Sequence, residues 1–235
     1  MSDIDLKSYV YAPYSHKEQW CIVEGKKGVL YPGVHIENAS FPLTITASQV
    51  ALFTCLSEGD IPRSIYVPDQ FHDDRLRYLT EYHQIDILST HDLPVIPLYH
   101  AAQDYEDPID VNLQKLIDRA IVGESHFRVA CILELETGGR ITGVNIEYPD
   151  WQIGLCAERV AISKAIASGL IHKVNGIHIT ASSGSFISPC GACRQVLVEH
   201  APYKSIHLHH PDGTESSTNA AQLLPAFFNG STLRK

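Results

Sequence analysis

The chain's most specific chemical pattern lies in three cysteines and one glutamate. Cys156-Ala157-Glu158 is followed downstream by Pro189-Cys190-Gly191-Ala192-Cys193. Two cysteines separated by two residues at a helix start can aim both sulfurs at one ion, and the helix N-terminus favours the thiolates electrostatically. A third thiolate from another helix start leaves one tetrahedral position open. Three protein ligands plus water is the pattern of a catalytic zinc, whereas four ligands make a structural one. Glu158, two residues past the first ligand, could reach that water without being a ligand, which suits a proton carrier. A zinc knuckle would need a fourth Cys or His, and none is placed beside these; a redox CxxC would leave Cys-Ala-Glu unexplained. The expectation is one Zn²⁺ per chain on Cys156, Cys190 and Cys193, with Glu158 as catalytic acid–base. Three thiolates leave the zinc site with a net negative charge, so Arg159 or Arg194, directly after Glu158 and Cys193, is expected to hydrogen-bond the sulfurs and restore Lewis acidity.

The elements that must position these residues follow from periodicity. Residues 111–122 carry Leu113, Leu116, Ile117, Ala120 and Ile121 at helical spacing. Residues 126–148 read as a hairpin turning at Gly138-Gly139. GLCAERVAISKAIASG predicts a helix ended by Gly169, VNGIHITAS a strand, and PCGACRQVLVEHA a helix opening at Pro189. SIHLHH predicts a further strand turned by Asp212-Gly213, and NAAQLLPAFF a last helix interrupted at Pro225. Both cysteine-bearing helices thus start just after loops, and the element order implies a mixed α/β sheet covered by helices.

The same pattern occurs earlier in the chain without its chemistry. GVHIENASFPLTITASQVALFTCLSEGDI from Gly33 and GVNIEYPDWQIGLCAERVAISKAIASGLI from Gly143 align without a gap, at an offset of 110 residues. Ser15-His16 and Ser125-His126 keep that offset. A period this long implies a duplicated domain rather than short repeats. HAAQDYEDPID, acidic and without apolar periodicity, reads as the joint, giving domains at 1–98 and 111–235 with a linker at 99–110. In the first copy Thr46 stands for Cys156, Ser48 for Glu158 and His35 for Asn145, and the FHDDRL region (Phe71 to Leu76) that replaces the PCGAC helix start has no cysteine. The first domain is therefore expected to hold no zinc and to catalyse nothing.

Composition narrows the partners. With 235 residues, 44% hydrophobic and 19% charged, the chain can bury a core, which rules out a disordered protein. No apolar run approaches the roughly 20 residues of a membrane span. The acidic, polar N-terminus lacks a basic segment leading into an apolar one, which argues against export and for a cytoplasmic location. The formal charge is −9, from 18 Lys+Arg against 27 Asp+Glu. A polyanion is bound by cations that displace its counterions, so nucleic acid is a poor partner and a small, weakly charged substrate a better one. Cys21, Cys55 and Cys131 sit among apolar neighbours and read as small core residues. His207, His209 and His210 read as polar positions on a sheet face rather than a second metal site, and Gly25 to Gly28 as a hairpin turn.

SHF (Ser125 to Phe127), GVNIE (Gly143 to Glu147), CAERVA (Cys156 to Ala161), SPCGACRQVL (Ser188 to Leu197) and LLPAFF (Leu223 to Phe228) together resemble the cytidine deaminase family in its all-cysteine form. The resemblance spans nearly all of 111–235. It implies a five-stranded αβα sandwich, here two in tandem, and zinc-dependent hydrolytic deamination of cytidine and deoxycytidine with release of ammonia in pyrimidine salvage. It also implies that Asn145 and Glu147 hold the ribose 3′-hydroxyl and that Phe127 lies near the sugar. Ala157 would offer its backbone N–H to the pyrimidine carbonyl, and Phe228 would stack beside a neighbouring subunit's base. Long family members fuse an active and an inactive copy, so the resemblance implies a homodimer of pseudo-tetrameric symmetry. One stretch departs from the family: Tyr148, Pro149, Asp150 and Trp151 replace its usual Asn-Ala-Ser/Cys-Tyr. That change leaves a second substrate class open, another aminopyrimidine nucleoside such as a modified nucleoside or a nucleoside antibiotic.

Overall fold

The computed structural model describes residues 5–228 and 230–233. In chain order the first half contains β1 (Trp20–Gly25), β2 (Leu30–Val34), α1 (Ala47–Ser57), β3 (Pro62–Val67), α2 (Leu76–His83) and β4 (Asp86–Ser89). The second contains α3 (Ile109–Ile117), β5 (Val129–Leu135), β6 (Arg140–Val144), α4 (Ala157–Ala167), β7 (Val174–Ala181), α5 (Gly191–His200), β8 (Ser205–His209), β9 (Glu215–Asn219) and α6 (Ala220–Leu223). Two mixed sheets result, ordered β2-β1-β3-β4 and β6-β5-β7-β8-β9. The parallel pairs β3/β4 and β7/β8 need crossovers, which α2 and α5 supply. The fold is α/β with helices on the sheets, as the patterning predicts.

The first sheet has four strands where a five-stranded sandwich was expected. After β4 the chain enters a short 3₁₀ turn over Thr90–Asp92 and then meets Pro94 and Pro97, which cannot donate to a ladder. The second sheet gains its fifth strand from β9, whose sequence ESSTN is polar throughout and carries no alternation to reveal it. Helix α5 begins at Gly191, with Pro189 lying before Cys190, its N-cap. Helix α6 stops after four residues, ahead of Pro225.

Backbone details repeat at the 110-residue offset. Isolated bridges join Tyr11 to Ile36 and Ile36 to Ile45, and likewise Ile121 to Ile146 and Ile146 to Leu155. A Cβ on Gly33 would lie 2.2 Å from the Ala47 carbonyl oxygen, and one on Gly143 2.4 Å from that of Ala157. Only glycine lets β2 and β6 approach α1 and α4 so closely.

Every residue of α4 is buried. It lies against β5 and β6 on one side and against α1 and α5 on others, which explains its weak amphipathicity. Buried apolar side chains from both halves form one continuous core. Reciprocal contacts cross between the halves: Arg159 donates to the Leu43 carbonyl at 3.1 Å, and Gln49 to the Ile153 carbonyl at 2.8 Å. Gln49 and Leu43 stand 110 residues before Arg159 and Ile153. The segment expected as a linker is ordered. The Leu30 amide donates to the Pro97 carbonyl and the Tyr99 amide to the Leu30 carbonyl, and Gln103 pairs both ways with Arg140. Residues 97–103 thus run from the edge of β2 to the edge of β6.

Candidate active site

Two helix N-termini converge on one point. Cys156 is the N-cap of α4 and Cys190 the N-cap of α5, both with extended backbone. An N-cap residue usually spends its side chain on the helix's free N–H groups. The Cys156 sulfur caps no helix N–H, and the Cys190 sulfur, which accepts from the Cys193 and Ala192 amides, keeps lone pairs for the site. Cys193, three residues into the α5 turn, adds the third. The three sulfurs lie within 4.8 Å of one another, and no other group of His, Cys, Asp or Glu among the described residues clusters this way. Cys156 Sγ and Cys190 Sγ are 3.7 Å apart. Zn–S bonds of about 2.3 Å at the tetrahedral angle separate two sulfurs by about 3.8 Å. The donor set and its spacing therefore fit zinc, with three protein ligands and a side left open.

Electrostatics single out one sulfur of the three as anionic: the hydrogen bond to Cys190 pushes the Cys156 thiol up, and hydrogen bonds with Cys156 and Cys190 together with burial push Cys193 up. Hydrogen bonds from Cys156 and Cys193 hold the Cys190 thiol well below its usual range, and the Cys193 and Ala192 amides add to this. The neighbouring Glu158 is 4% exposed. Burial, reinforced by the charge on Cys190, pushes its carboxyl up to about 7, which places a proton acceptor near neutrality.

A cavity of about 360 Å³ opens on this point, within the roughly 300–1,000 Å³ of small-molecule sites. Cys156, Cys190 and Glu158 line its floor, and Phe127, Asn145, Glu147, Trp151 and Phe186 its walls. A groove of about 490 Å³ between α3 and the β8–β9 hairpin is bounded by charged side chains such as Asp110, Lys115 and Glu215 and contains no cysteine.

The expected substrate contacts occupy several settings. Asn145 accepts from the Val129 amide at 2.8 Å and donates to the Phe127 carbonyl at 2.9 Å. The Glu147 carboxylate accepts from the Glu124 and Ser125 amides at 3.2 and 3.0 Å and from the Ser125 hydroxyl. Both residues thus brace the turn that carries Phe127. Glu37 binds the Tyr14 and Ser15 amides in the same manner, so part of this work is independent of any substrate. Ala157 is the first residue of α4, and its N–H is one of those a helix leaves unpaired. Phe228 is 54% exposed and lies outside the cavity lining. Neither arginine has a sulfur among its hydrogen-bond partners. Arg159 reaches Leu43 instead. Arg194 donates to the Pro189 carbonyl at 2.8 Å and the Ser188 hydroxyl at 2.9 Å, which fixes the loop delivering Cys190.

In the first half the corresponding helix start is filled differently. Thr46 caps α1 in a capping box with Gln49, and Asp73 accepts from the Ser48 amide at 2.9 Å. A carboxylate sits where the second half has thiols. Sequence reasoning missed Trp151 and Phe186 as wall residues; the departure at Tyr148 to Trp151 was the one signal pointing to the former.

Comparison with known proteins bears on what this geometry is. The cytidine and deoxycytidylate deaminase zinc-binding region matches residues 111–208, which takes in the three cysteines, Glu158 and both arginines and stops short of Phe228. A probable cytidine deaminase of Dictyostelium discoideum is 34% identical over 125 residues, covering 50% of this chain and 84% of that protein. The chain belongs to the cytidine deaminase family. A cytidine deaminase of Halalkalibacterium halodurans is 36% identical over 110 residues, 46% of this chain and 83% of the relative. The crystal structure of cytidine deaminase from Burkholderia pseudomallei aligns with 49% of this chain and 93% of its own, at 31% identity and a TM-score of 0.47. These relatives account for about half of the chain. No helix among the described residues is long and apolar enough to cross a membrane.

Proposed function

We propose that the second half, residues 111–235, is a zinc-dependent deaminase of cytidine and deoxycytidine, and that the first, residues 1–98, is a degenerate copy without zinc or catalysis, joined through 99–110. The observation that carries this reading is the meeting of three cysteine sulfurs, spaced for tetrahedral zinc, with a buried Glu158 at the floor of one cavity.

When bound by Cys156, Cys190 and Cys193, zinc would supply Lewis-acid activation of water. Glu158 takes the proton from the attacking water, passes it to N3 of the pyrimidine, and carries the second proton to the amino group, which leaves C4 as ammonia. Asn145 and Glu147 retain lone pairs beyond those spent on the turn and face the cavity as acceptors for sugar hydroxyls. Phe127 covers the sugar, and the Ala157 N–H meets the pyrimidine carbonyl. Arg194 holds the Cys190 loop, and Arg159 ties the catalytic helix to the first half. Phe228, exposed and outside the lining of this cavity, suits a role at a neighbouring subunit's site. The resemblance to long family members, which fuse an active and an inactive copy, implies a homodimer of pseudo-tetrameric symmetry with one zinc per chain, and the reciprocal contacts between the two halves support that reading. The place of action is the cytoplasm and the role pyrimidine salvage.

A second reading is favoured by Trp151, which adds an indole to the cavity wall: the substrate is a modified aminopyrimidine nucleoside. An ultraviolet assay of cytidine, deoxycytidine, their monophosphates and a modified-nucleoside panel, with zinc stoichiometry on the same sample, decides between them. Wild-type chain should carry one zinc and deaminate the free nucleosides. Glu158→Ala should keep its zinc and lose about 10²–10⁴ in kcat. Near-normal turnover by that variant would remove Glu158 from the mechanism.

A further inference from the structure

The stretch that departs from the family pattern points in two directions. Tyr148 turns away from the cavity and is only 2% exposed. Its ring stacks on Phe53 of α1, with centroids 5.4 Å apart and planes at 13°, and meets Tyr82 of α2 at 5.0 Å. Its hydroxyl lies 2.6 Å from His83 Nε2. Phe53, Tyr82 and His83 all belong to the first half, which lacks the cysteine cluster. Five residues on, the same half holds the loop again, through the Gln49 amide on the Ile153 carbonyl. Between these two anchors stands Trp151, 65% exposed and lining the cavity beside Asn145, Glu147 and Cys156. The loop then reaches Cys156 through Gly154, where a Cβ would lie 2.8 Å from the Ile146 carbonyl oxygen. It has little room to adjust from that end.

We infer that Trp151 is a substrate-contacting, specificity-determining residue on the sugar side of the cavity, and that Tyr148 and His83 are its positioning pair. The first half thereby acts on the reaction by fixing one wall of the second half's pocket. The inference deepens the proposed deaminase function and rests on it for its kinetic arm. The chemistry is simple. An exposed indole gains contact with a nucleoside only if its loop is already ordered, because ordering on binding subtracts from affinity. The aromatic nest and the phenol–imidazole hydrogen bond order it beforehand.

Steady-state kinetics on full-length, zinc-loaded chain test this. Tyr148→Phe keeps the ring and removes the hydroxyl; His83→Ala removes the partner; His83→Gln restores an acceptor. Tyr148→Phe and His83→Ala should raise KM for cytidine about two- to tenfold, with kcat within twofold and zinc content unchanged, and His83→Gln should recover most of the loss. With Trp151→Ala in place, adding Tyr148→Phe should change KM no further, a non-additivity that a merely structural role would not produce. Additive effects, or an unchanged KM in a turning-over enzyme, would overturn the inference while leaving the deaminase reading intact. A physical readout covers the case in which cytidine is not turned over. The chain has two tryptophans, so Trp20→Phe leaves Trp151 as the sole tryptophan, which is excited selectively at the red edge where tyrosine does not absorb. Its time-resolved anisotropy should gain a fast component in His83→Ala, and an unchanged decay refutes the clamp whatever the substrate.

Discussion

Lys164 on α4 is fully buried and places its ammonium 2.6 Å from Glu58, which closes the C-terminus of α1 in the other half. Glu58 also accepts from the Tyr99 hydroxyl at 2.7 Å and faces Arg119 at 3.7 Å. Burial pushes the lysine down. Burial raises the Glu58 carboxyl, but the charge and hydrogen bond of Lys164, helped by Tyr99 and Arg119, outweigh that and hold it low. The two partners are not equivalent. Glu58→Gln leaves a buried cation without a counter-charge, at a cost of about 3–5 kcal/mol. Lys164→Met leaves a carboxylate that keeps Tyr99, Arg119 and some solvent, at a cost of about 1–2 kcal/mol. At about 2–4 °C per kcal/mol for a chain of this size, the melting temperature should fall by roughly 6–20 °C in the first variant and roughly 2–8 °C in the second. The double variant should return to within about 1 kcal/mol of wild type, because a well-packed neutral pair replaces a buried ionic one at little net cost. The measurement is urea and thermal unfolding of all four proteins, followed by circular dichroism and fluorescence so that coincident transitions certify two-state treatment. Equal small losses from both single variants, adding up in the double, would refute the claim that this pair is desolvated and mutually dependent.

Two further outcomes follow from packing and from proton linkage. Gly143→Ala drives a methyl into the Ala157 carbonyl and must displace α4 with Cys156 on its end; it should cost about 1–3 kcal/mol and lower zinc per chain, whereas Gly123→Ala, which meets nothing within 4 Å, should leave both unchanged. Burial, together with His207 and His209, pushes His178 down to about 4. Between that value and the ordinary histidine pKa of about 6.5, the unfolded chain binds a proton that the folded chain refuses. Unfolding free energy should therefore fall as pH drops across this window, by about 1–2 kcal/mol after solvent screening, and level off below it. His178→Gln should flatten that slope in melts taken from pH 7 to 4.

What was legible in the sequence was local or strictly periodic. The α3 segment shows in hydrophobic spacing, and the Cys-Ala-Glu and Pro-Cys-Gly-Ala-Cys motifs each sit at a helix start, where geometry leaves few alternatives. The constant 110-residue offset shows again in paired bridges and in two glycines pressed against helices. What was hidden depends on partners distant in sequence. Polar β9 is a strand only because β8 offers it an edge. Lys164 reads as a solvated helix residue until Glu58 arrives from more than a hundred positions away. Tyr148 and Trp151 sit three apart in one loop, yet one faces the other half and the other faces the cavity. No pattern within that loop distinguishes them. Asp73 at the start of α1 was likewise invisible, since a loop carboxylate has no periodicity.

The stretch from Pro97 to Gln103 is also a shield. Exposed outer strands of a sheet are templates on which foreign chains can extend, and a soluble protein must blunt them. Here a single connector lies along the outer strands of both sheets at once. A protease cut within it would uncover two sticky margins together, so self-association would be the first symptom of such a nick, ahead of any damage to the chemistry.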